Sequence, residues 1–174
     1  KLDIDSPWPR LSIVKNPAKS GVHLGPLPSR ATATLVVDAL QAALPLRRCT
    51  QRLGRNFTPP DDAPTCSAAQ LGVTHCPCSG TADHAEYAAS VTLTVRAMTG
   101  DPGFVVEQLR ERMNKLAKQQ RFEEAAINRD RLSALLGAIR RTQLFAALAE
   151  MGRAEITNGD TTWVVADGAL VDTR

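Results

Sequence analysis

Four cysteines are the residues of this chain whose type and spacing could do chemistry. They follow the pattern C-x16-C-x9-C-x-C, and the chain shows no export signal, so we expect a reducing cytoplasm in which disulfides do not persist. Thiols this close together then indicate a metal or cluster site more readily than two disulfides, because thiolates are soft ligands that suit iron–sulfur clusters and zinc. The candidate metal ligands are Cys49, Cys66, Cys76 and Cys78.

These cysteines lie in residues 46–83, a segment that contains several prolines and little periodicity. A loop of this length needs something to organise it, and a bound metal would supply the free energy that a thin core lacks. The alternative is that no metal binds and the cysteines are small buried or idle residues, because free cysteine is common in protein cores.

Arginines cluster around the first cysteine. Their guanidinium groups could meet DNA phosphates beside the metal site, or they could form only a solvated face. The net charge of +3, with a pI of about 8.8, is mildly basic and does not by itself indicate nucleic acid. The candidate DNA-binding residues are Arg47, Arg48, Arg52 and Arg55.

The composition excludes a disordered tail and a membrane protein. Apolar residues make up 43% of the 174 residues and charged residues 22%. No apolar run approaches the roughly 18 residues that span a bilayer. No acids and histidines are clustered where a substrate could be gripped, so no catalytic residue is predicted. The first residue is not methionine and the last lies in a β-rich stretch, which predicts a fragment of a longer protein.

The pattern of apolar residues predicts an α+β fold that is mainly helical, with helices flanking the cysteine-rich loop. Ser29 is expected to cap a helix over Ala31–Ala43, and a second helix is expected over Ala85–Met98. Short strands are predicted at both ends, at Leu11–Lys15 and within residues 152–172.

An antiparallel helical hairpin is predicted between the second helix and the final strands. Pro102 lies in the first turn of one helix, and Phe122 opens the other after a polar connection. Residues at helical spacing line one side of each helix, and such a stripe needs a partner surface because two helices bury little by themselves. These residues are Val106, Leu109, Met113 and Leu116, followed by Ala125, Ala126, Arg129, Leu132, Leu136 and Ile139.

Four stretches of the sequence resemble, in the family's own order, the UvrC family of nucleases that act in bacterial nucleotide excision repair. They are Leu24–Ser29, similar to a Gly-Pro-Phe-Pro-Ser turn; Pro45–Cys49, which looks like Phe-Pro-Ile-Arg-x-Cys; Cys66–Gly80, similar to the cysteine box; and Arg121–Asp130, which resembles the UVR motif. The likeness covers about residues 10–142. Some actinobacterial proteins fuse a proofreading-type exonuclease to a UvrC-like half, and the sequence resembles that group as well.

The resemblance implies a [4Fe–4S] cluster at the cysteines. Thr74, however, stands where the family has its remaining cysteine, and Cys76 follows two residues later. His75 is an adjacent substitute ligand. We rank a cluster first, zinc second and no metal third. The three positions that match the family are Cys49, Cys66 and Cys78.

The resemblance also implies that the hairpin pairs with a similar hairpin of UvrB, with Phe122 as an aromatic anchor whose truncation costs about 2 kcal/mol or more. One alternative is packing within the chain, which is favoured by polar Gln120 and Asn128 at positions that are apolar in the family. Pairing between two copies of the hairpin is another. The predicted partner-binding residues are Phe122, Glu123, Glu124, Ala126, Arg129 and Asp130.

The expected domain organisation follows from the same resemblance. Residues 1–25 would be the C-terminal edge of an upstream GIY-YIG nuclease domain, 26–100 a helix with the cysteine-rich region, 101–149 the UVR-like hairpin, and 150–174 the start of a following β-rich domain. DNA incision, and any 3'-5' exonuclease activity, would belong to the longer parent, which would also bind the DNA. This chain is expected to be its non-catalytic scaffold and docking region. The alternatives are a plain spacer with no metal and no partner, and a fusion protein acting independently of UvrB.

Overall fold

The computed structural model describes residues 1–17, 20–54, 56–60, 64–80 and 82–174. Within these ranges the chain forms five α-helices and one three-stranded sheet, which confirms the mainly helical α+β class. The elements are α1 (Arg30–Ala43), α2 (Ser67–Gln70), a 3-10 turn (Pro77–Ser79), α3 (His84–Thr99), α4 (Gly103–Lys118), α5 (Phe122–Glu150), β1 (Arg153–Asn158), β2 (Thr161–Ala166) and β3 (Ala169–Thr173). None of the described helices is both long and apolar enough to cross a membrane.

Side-chain caps set the start of two helices. At α1 the Ser29 hydroxyl oxygen accepts a hydrogen bond from the Thr32 amide at 3.0 Å, and at α3 the Asp83 carboxylate accepts one from the Glu86 amide at 2.8 Å. Each cap satisfies an amide that the first helical turn leaves unpaired, and such a cap contributes about 1 kcal/mol. Gly100 ends α3 with a φ of 122°, a conformation that favours glycine.

The α4–α5 hairpin packs on α1 within this chain. Leu109 of α4 and Leu135 of α5 are fully buried, and they share one core with Leu40 of α1. Burying one such leucine contributes about 2 kcal/mol, so the packing of the hairpin on α1 is a major source of stability. Asp38 of α1 adds an ion pair with Arg131 of α5 at 3.5 Å.

The strand predicted at Leu11–Lys15 is not a full strand. Leu2 forms isolated bridges with Leu11 and with Val22, and each bridge is one residue pair long. Ile13 and Val14 remain 40% and 43% exposed, because the described residues offer no second strand to pair with them. Leu2 and Leu11 are nevertheless buried in the same core as α1, which ties the first residues to the helical body.

The phase of α5 also differs from the sequence prediction. Leu136, expected on the buried side, is 40% exposed, whereas its neighbour Leu135 is 0% exposed. The buried face runs through Asn128, Leu132, Leu135 and Ile139 at helical spacing. Leu132 and Ile139 are buried as predicted, whereas Asn128 and Leu135 are buried in place of Arg129 and Leu136.

The strands predicted in residues 152–172 are confirmed as an antiparallel β1–β2–β3 meander. Gly159 and Gly168 lie in its two turns with φ values of 60° and 77°. Val164 in the central strand is fully buried, whereas β3 is exposed along its whole length.

Candidate metal centre and hairpin surface

The structure brings the four cysteine sulfurs together. The Sγ of Cys76 lies 3.4 Å from that of Cys49 and 2.9 Å from that of Cys78. The sulfurs of Cys66, Cys76 and Cys78 all lie within 4.8 Å of one another. Residues spread over the whole cysteine-rich loop therefore converge on one point, with Cys49 at the edge of the group and Cys76 at its centre.

Local structure and core packing position these thiols. The 3-10 turn that begins at Pro77 folds Cys78 back toward Cys76. The His75 amide donates to the Pro45 carbonyl at 2.7 Å, so the start and the end of the loop are held side by side. Leu46 and Leu53 are buried in the main core, which anchors the loop on both sides of Cys49. The core therefore fixes the backbone on both sides of Cys49.

The thiols differ in how easily they lose a proton. Burial raises the pKa of the Cys76 thiol far above its ordinary value, and its side-chain interaction with Cys78 adds to this increase. Burial also raises the pKa of Cys66, but backbone hydrogen bonds from Ala69 and Ala68 and side-chain hydrogen bonds from the other thiols outweigh it and leave that pKa lowered. A bound cation would deprotonate all of them, because a coordinating thiol is deprotonated outright.

The four thiols fit a thiolate-bound metal. Around one zinc ion, with Zn–S bonds of about 2.3 Å, tetrahedral sulfurs lie roughly 3.8 Å apart. The observed separations of 2.9 and 3.4 Å need only a small opening to reach that spacing. A cubane cluster binds each thiolate through a different iron, so its sulfurs lie further apart and the loop would have to open more. Cys49 lies outside the group of three sulfurs that are within 4.8 Å of one another, and the donor set suits both a single ion and a cluster.

Two neighbouring residues help to define the ligand set. Thr74, which stands where the family has a cysteine, is 5% exposed, and its hydroxyl has no hydrogen-bond partner among the described residues. His75, the predicted substitute ligand, is exposed and lies outside the group of converging ligand atoms. Cys76, and not the residue at position 74, lies among the converging sulfurs.

The arginines near Cys49 fall into two kinds. Arg47 is 4% exposed, and its guanidinium donates to backbone carbonyls inside the protein. It does not face solvent, so the prediction that it contacts phosphates is corrected. Arg48 and Arg52 are exposed beside the cysteine loop, and Arg48 donates to the Gln41 carbonyl at 3.2 Å. Arg55 lies outside the described residues.

The predicted anchor of the hairpin is exposed. Phe122 is the first residue of α5, and 64% of it is accessible to water. Ala126 and Arg129 follow at positions i+4 and i+7, which places them on the same side of the helix. Ile127 is 48% exposed nearby and was missed by the sequence analysis, because the motif offered no reason to single it out.

Charged residues around Phe122 are held by ion pairs. Arg121 binds Glu124 at 2.6 Å, and Arg129 binds Asp130 at 2.7 Å. The hydrogen bond from Arg121 lowers the pKa of the Glu124 carboxyl. Glu123 is exposed in the same helical turn. These pairs leave charged groups around an apolar centre, as in the core and rim of a binding surface.

The opposite side of the hairpin is already covered. The hairpin packs on α1, and four residues of the stripe that was expected to need an external partner are buried: Leu109, Leu116, Leu132 and Ile139. Asn128 is buried with them at 3% exposure. The Asn128 amide nitrogen donates to the Glu124 carbonyl at 2.8 Å, while its side-chain oxygen has no partner among the described residues. The hairpin therefore packs on α1 with one side, while Phe122 at the start of α5 remains exposed to solvent.

Comparison with known proteins gives two family matches. The model described as UvrC/Cho excinuclease, middle domain, matches residues 1–97, and the one described as UvrB/uvrC motif matches residues 105–137. No solved structure was found to match the chain.

Curated relatives named UvrABC system protein C are similar over most of this chain. The protein from Syntrophus aciditrophicus is 32% identical over 83% of this chain and 23% of its own length. The protein from Haloarcula marismortui is 32% identical over 75% and 22%, and the one from a Psychrobacter species is 34% identical over 77% and 21%. The chain thus spans about a fifth of the length of these relatives.

Proposed function

The chain belongs to the UvrC/Cho excinuclease family, and we propose that it is a non-catalytic scaffold and docking region of a UvrC-like nucleotide excision repair nuclease. In this role the α4–α5 hairpin binds a similar hairpin of a UvrB-type partner, and the cysteine loop holds a structural metal. Incision of DNA is left to other parts of the parent nuclease. Phe122 carries this assignment, because it is exposed within the residues matched by the UvrB/uvrC motif.

Phe122 suits a docking contact for physical reasons. A phenylalanine that is 64% exposed leaves a large apolar area in water, and a partner hairpin would remove that area from water. Ala126, one turn further on, is small enough to let a partner helix approach closely. The Arg121–Glu124 pair fixes charge beside the aromatic ring before binding, so less side-chain freedom is lost on association.

Binding to a purified UvrB-type protein tests this role. We expect Phe122→Ala in the full-length protein to weaken binding by roughly 30-fold or more, since truncation of an aromatic anchor costs about 2 kcal/mol. Leu144→Ala is the matched control: Leu144 is 57% exposed on the same helix but lies outside the matched residues, and we expect unchanged binding. Equal affinities for wild type and both variants would favour the plain spacer or a fusion protein that acts without UvrB.

A thiolate-bound metal at the four cysteines is the second component of this role. The convergence of the sulfurs supports it, and so does the loop between Cys49 and Cys76, which contains little regular structure among its described residues. Coordination would stabilise that loop, because metal binding supplies folding free energy. The site holds either a [4Fe–4S] cluster or one zinc ion.

Metal analysis of anaerobically purified protein distinguishes these groups. Iron with sulfide and visible absorption indicates the cluster, whereas about one zinc per chain in a colourless protein indicates the single ion. Cys78→Ser should abolish stoichiometric metal, while Ser67→Ala, an exposed position in α2, should leave it unchanged. Wild-type protein that contains neither metal after gentle purification would refute the metal centre but not hairpin docking.

Arg48 and Arg52 give the surface beside the metal centre a positive charge, and we assign them contacts with DNA phosphates in the parent complex. Phosphate contacts release counterions, so each one steepens the salt dependence of DNA binding by close to one unit. Arg52→Ala should therefore lower this slope by about one. Lys118→Ala, an exposed position on the hairpin, should not change it. If Arg52→Ala and Lys118→Ala have the same salt dependence of DNA binding, Arg48 and Arg52 are solvent-exposed residues without phosphate contacts.

A further inference from the structure

Arg47 is a buried cation, and the part of the chain that the structure describes places no carboxylate beside it. Only 4% of its surface is exposed, and no Asp or Glu of the described residues lies within 4.0 Å of its guanidinium. An arginine side chain stays protonated in proteins, so burial cannot be relieved by loss of a proton. A buried charge is unfavourable unless a group of opposite charge compensates it.

Backbone carbonyls accept hydrogen bonds from the Nε and Nη1 of this guanidinium, but they do not compensate its charge. Its Nε donates to the Trp8 carbonyl at 2.7 Å, and its Nη1 donates to the carbonyls of Gln51 at 2.8 Å and Cys49 at 3.2 Å. The same Nη1 lies 3.4 Å from the Cys49 sulfur. Through Cys49 the cation meets the cysteine group, because the Cys49 and Cys76 sulfurs are 3.4 Å apart.

The geometry points to Arg47 as the positioning residue that offsets part of the negative charge of the metal centre, by donating from its guanidinium to the Cys49 thiolate. This inference rests on the metal centre proposed above. Four thiolates around one divalent ion carry a net charge of roughly −2, which is unfavourable in a buried site and is partly cancelled by one adjacent cation. Hydrogen bonds to ligand sulfurs also tune thiolate-bound metals, including iron–sulfur clusters.

The neighbouring arginine gives a matched control. Arg48 follows directly in the chain, but its side chain is exposed and donates to the Gln41 carbonyl, away from the sulfurs. A general effect of positive charge near the loop would be shared by both residues. An effect of the Arg47 contact with sulfur would be confined to Arg47.

Metal affinity of three variants of the full-length protein tests the inference, with zinc as the probe and a chromophoric chelator as competitor. We expect Arg47→Gln to weaken zinc binding ten- to hundredfold, which is the usual effect of losing a group that supports a metal ligand. Arg47→Lys keeps the charge but loses the planar fork of donors, so it should retain more zinc affinity than Arg47→Gln, while Arg48→Gln should not differ from wild type. Urea unfolding of the metal-free proteins reports any separate loss of structure.

The outcomes separate this role from a purely structural one. Equal losses of zinc affinity in Arg47→Gln and Arg47→Lys would show that the hydrogen bonds to carbonyls matter and the charge does not, which overturns the inference. Wild-type affinity in Arg47→Gln overturns it as well and leaves the metal centre intact. Wild-type protein that takes up neither zinc nor iron overturns both.

A measurement on the unmodified protein covers the case in which Arg47→Gln does not fold. In protein labelled with 15N-arginine, zinc loading should shift the side-chain Nε–H and Nη–H signals of Arg47 and leave those of Arg48 in place. Unshifted Arg47 signals in zinc-loaded protein would refute the contact with the thiolate.

Discussion

Adjacent leucines in α5 allow a direct test of how the hairpin meets the rest of the chain. Leu135 is 0% exposed in the core shared with α1 and α4, whereas Leu136 is 40% exposed. The two residues have the same side chain and the same helical context. Leu135→Ala and Leu136→Ala therefore differ only in what surrounds the deleted atoms.

The expected magnitudes follow from burial. Leu135→Ala removes three buried carbon atoms and leaves a cavity, which should lower the free energy of unfolding by about 3 to 5 kcal/mol. Leu136→Ala deletes atoms that already contact water in part and leaves no closed cavity, so about 1 kcal/mol is expected. Small domains have a total stability of about 5–15 kcal/mol, so the first change is a large fraction and the second is minor.

Urea unfolding followed by circular dichroism measures both free energies, with the slopes compared to check two-state behaviour. The buried variant should unfold at a clearly lower urea concentration than the exposed one. A larger loss for Leu136→Ala would mean that the sequence-based phase of α5 was right and the buried face described above is wrong. Losses below about 1 kcal/mol for both would show that the hairpin does not pack on α1 in solution.

Three further predictions concern other parts of the chain. Thr74→Val removes a buried hydroxyl that has no partner among the described residues, and it should raise the free energy of unfolding by about 1 kcal/mol in urea titrations; a loss would show that the hydroxyl is bonded in solution. Ser29→Ala removes the cap of α1 and should lower the free energy of unfolding by about 1 kcal/mol, whereas Ser12→Ala should have little effect on it. Removing the metal with a chelator should lower the thermal midpoint, since a ligand present at a thousand times its Kd stabilises by about 4 kcal/mol, and unchanged midpoints would speak against a structural metal.

The hairpin was predictable because its signals are local. Pro102 and Phe122 mark helix starts, and apolar residues recur at helical spacing along both helices. The buried side of α5 was not predictable to the residue. Leucine occupies both 135 and 136, and buried Asn128 breaks the apolar pattern, so only the position of α1 decides which side is covered.

The convergence of the cysteines was predicted from their number and their expected compartment, but the role of Arg47 was not. In the sequence Arg47 and Arg48 are equivalent members of one basic cluster. In the fold one is buried and the other is exposed, because the carbonyls of Trp8 and Gln51 are brought around Arg47 from different parts of the chain. Hydrogen-bond acceptors that the tertiary fold brings together cannot be recognised from the local sequence.

Tyr87 explains how Cys49 is positioned by the surrounding core. Its hydroxyl donates to the Pro9 carbonyl and accepts from the Arg47 amide, and burial raises its pKa to about 12, so it remains protonated at neutral pH. The N-terminal segment, the start of the cysteine loop and α3 are thereby joined two residues before Cys49. Cys49 is consequently placed by the core and by Arg47.

Cys66 belongs to the less constrained half of the centre, and its accessibility gives a last prediction. It precedes the four-residue helix α2, which has no buried residue, and it is partly exposed, whereas Cys76 is 0% exposed. In metal-free protein, brief alkylation followed by mass spectrometry should therefore label Cys66 well before Cys76, and zinc loading should protect both. Equal labelling rates of Cys66 and Cys76 before metal is added would mean that both thiols are equally accessible to solvent. The fold would then not bring the cysteines together in the absence of metal.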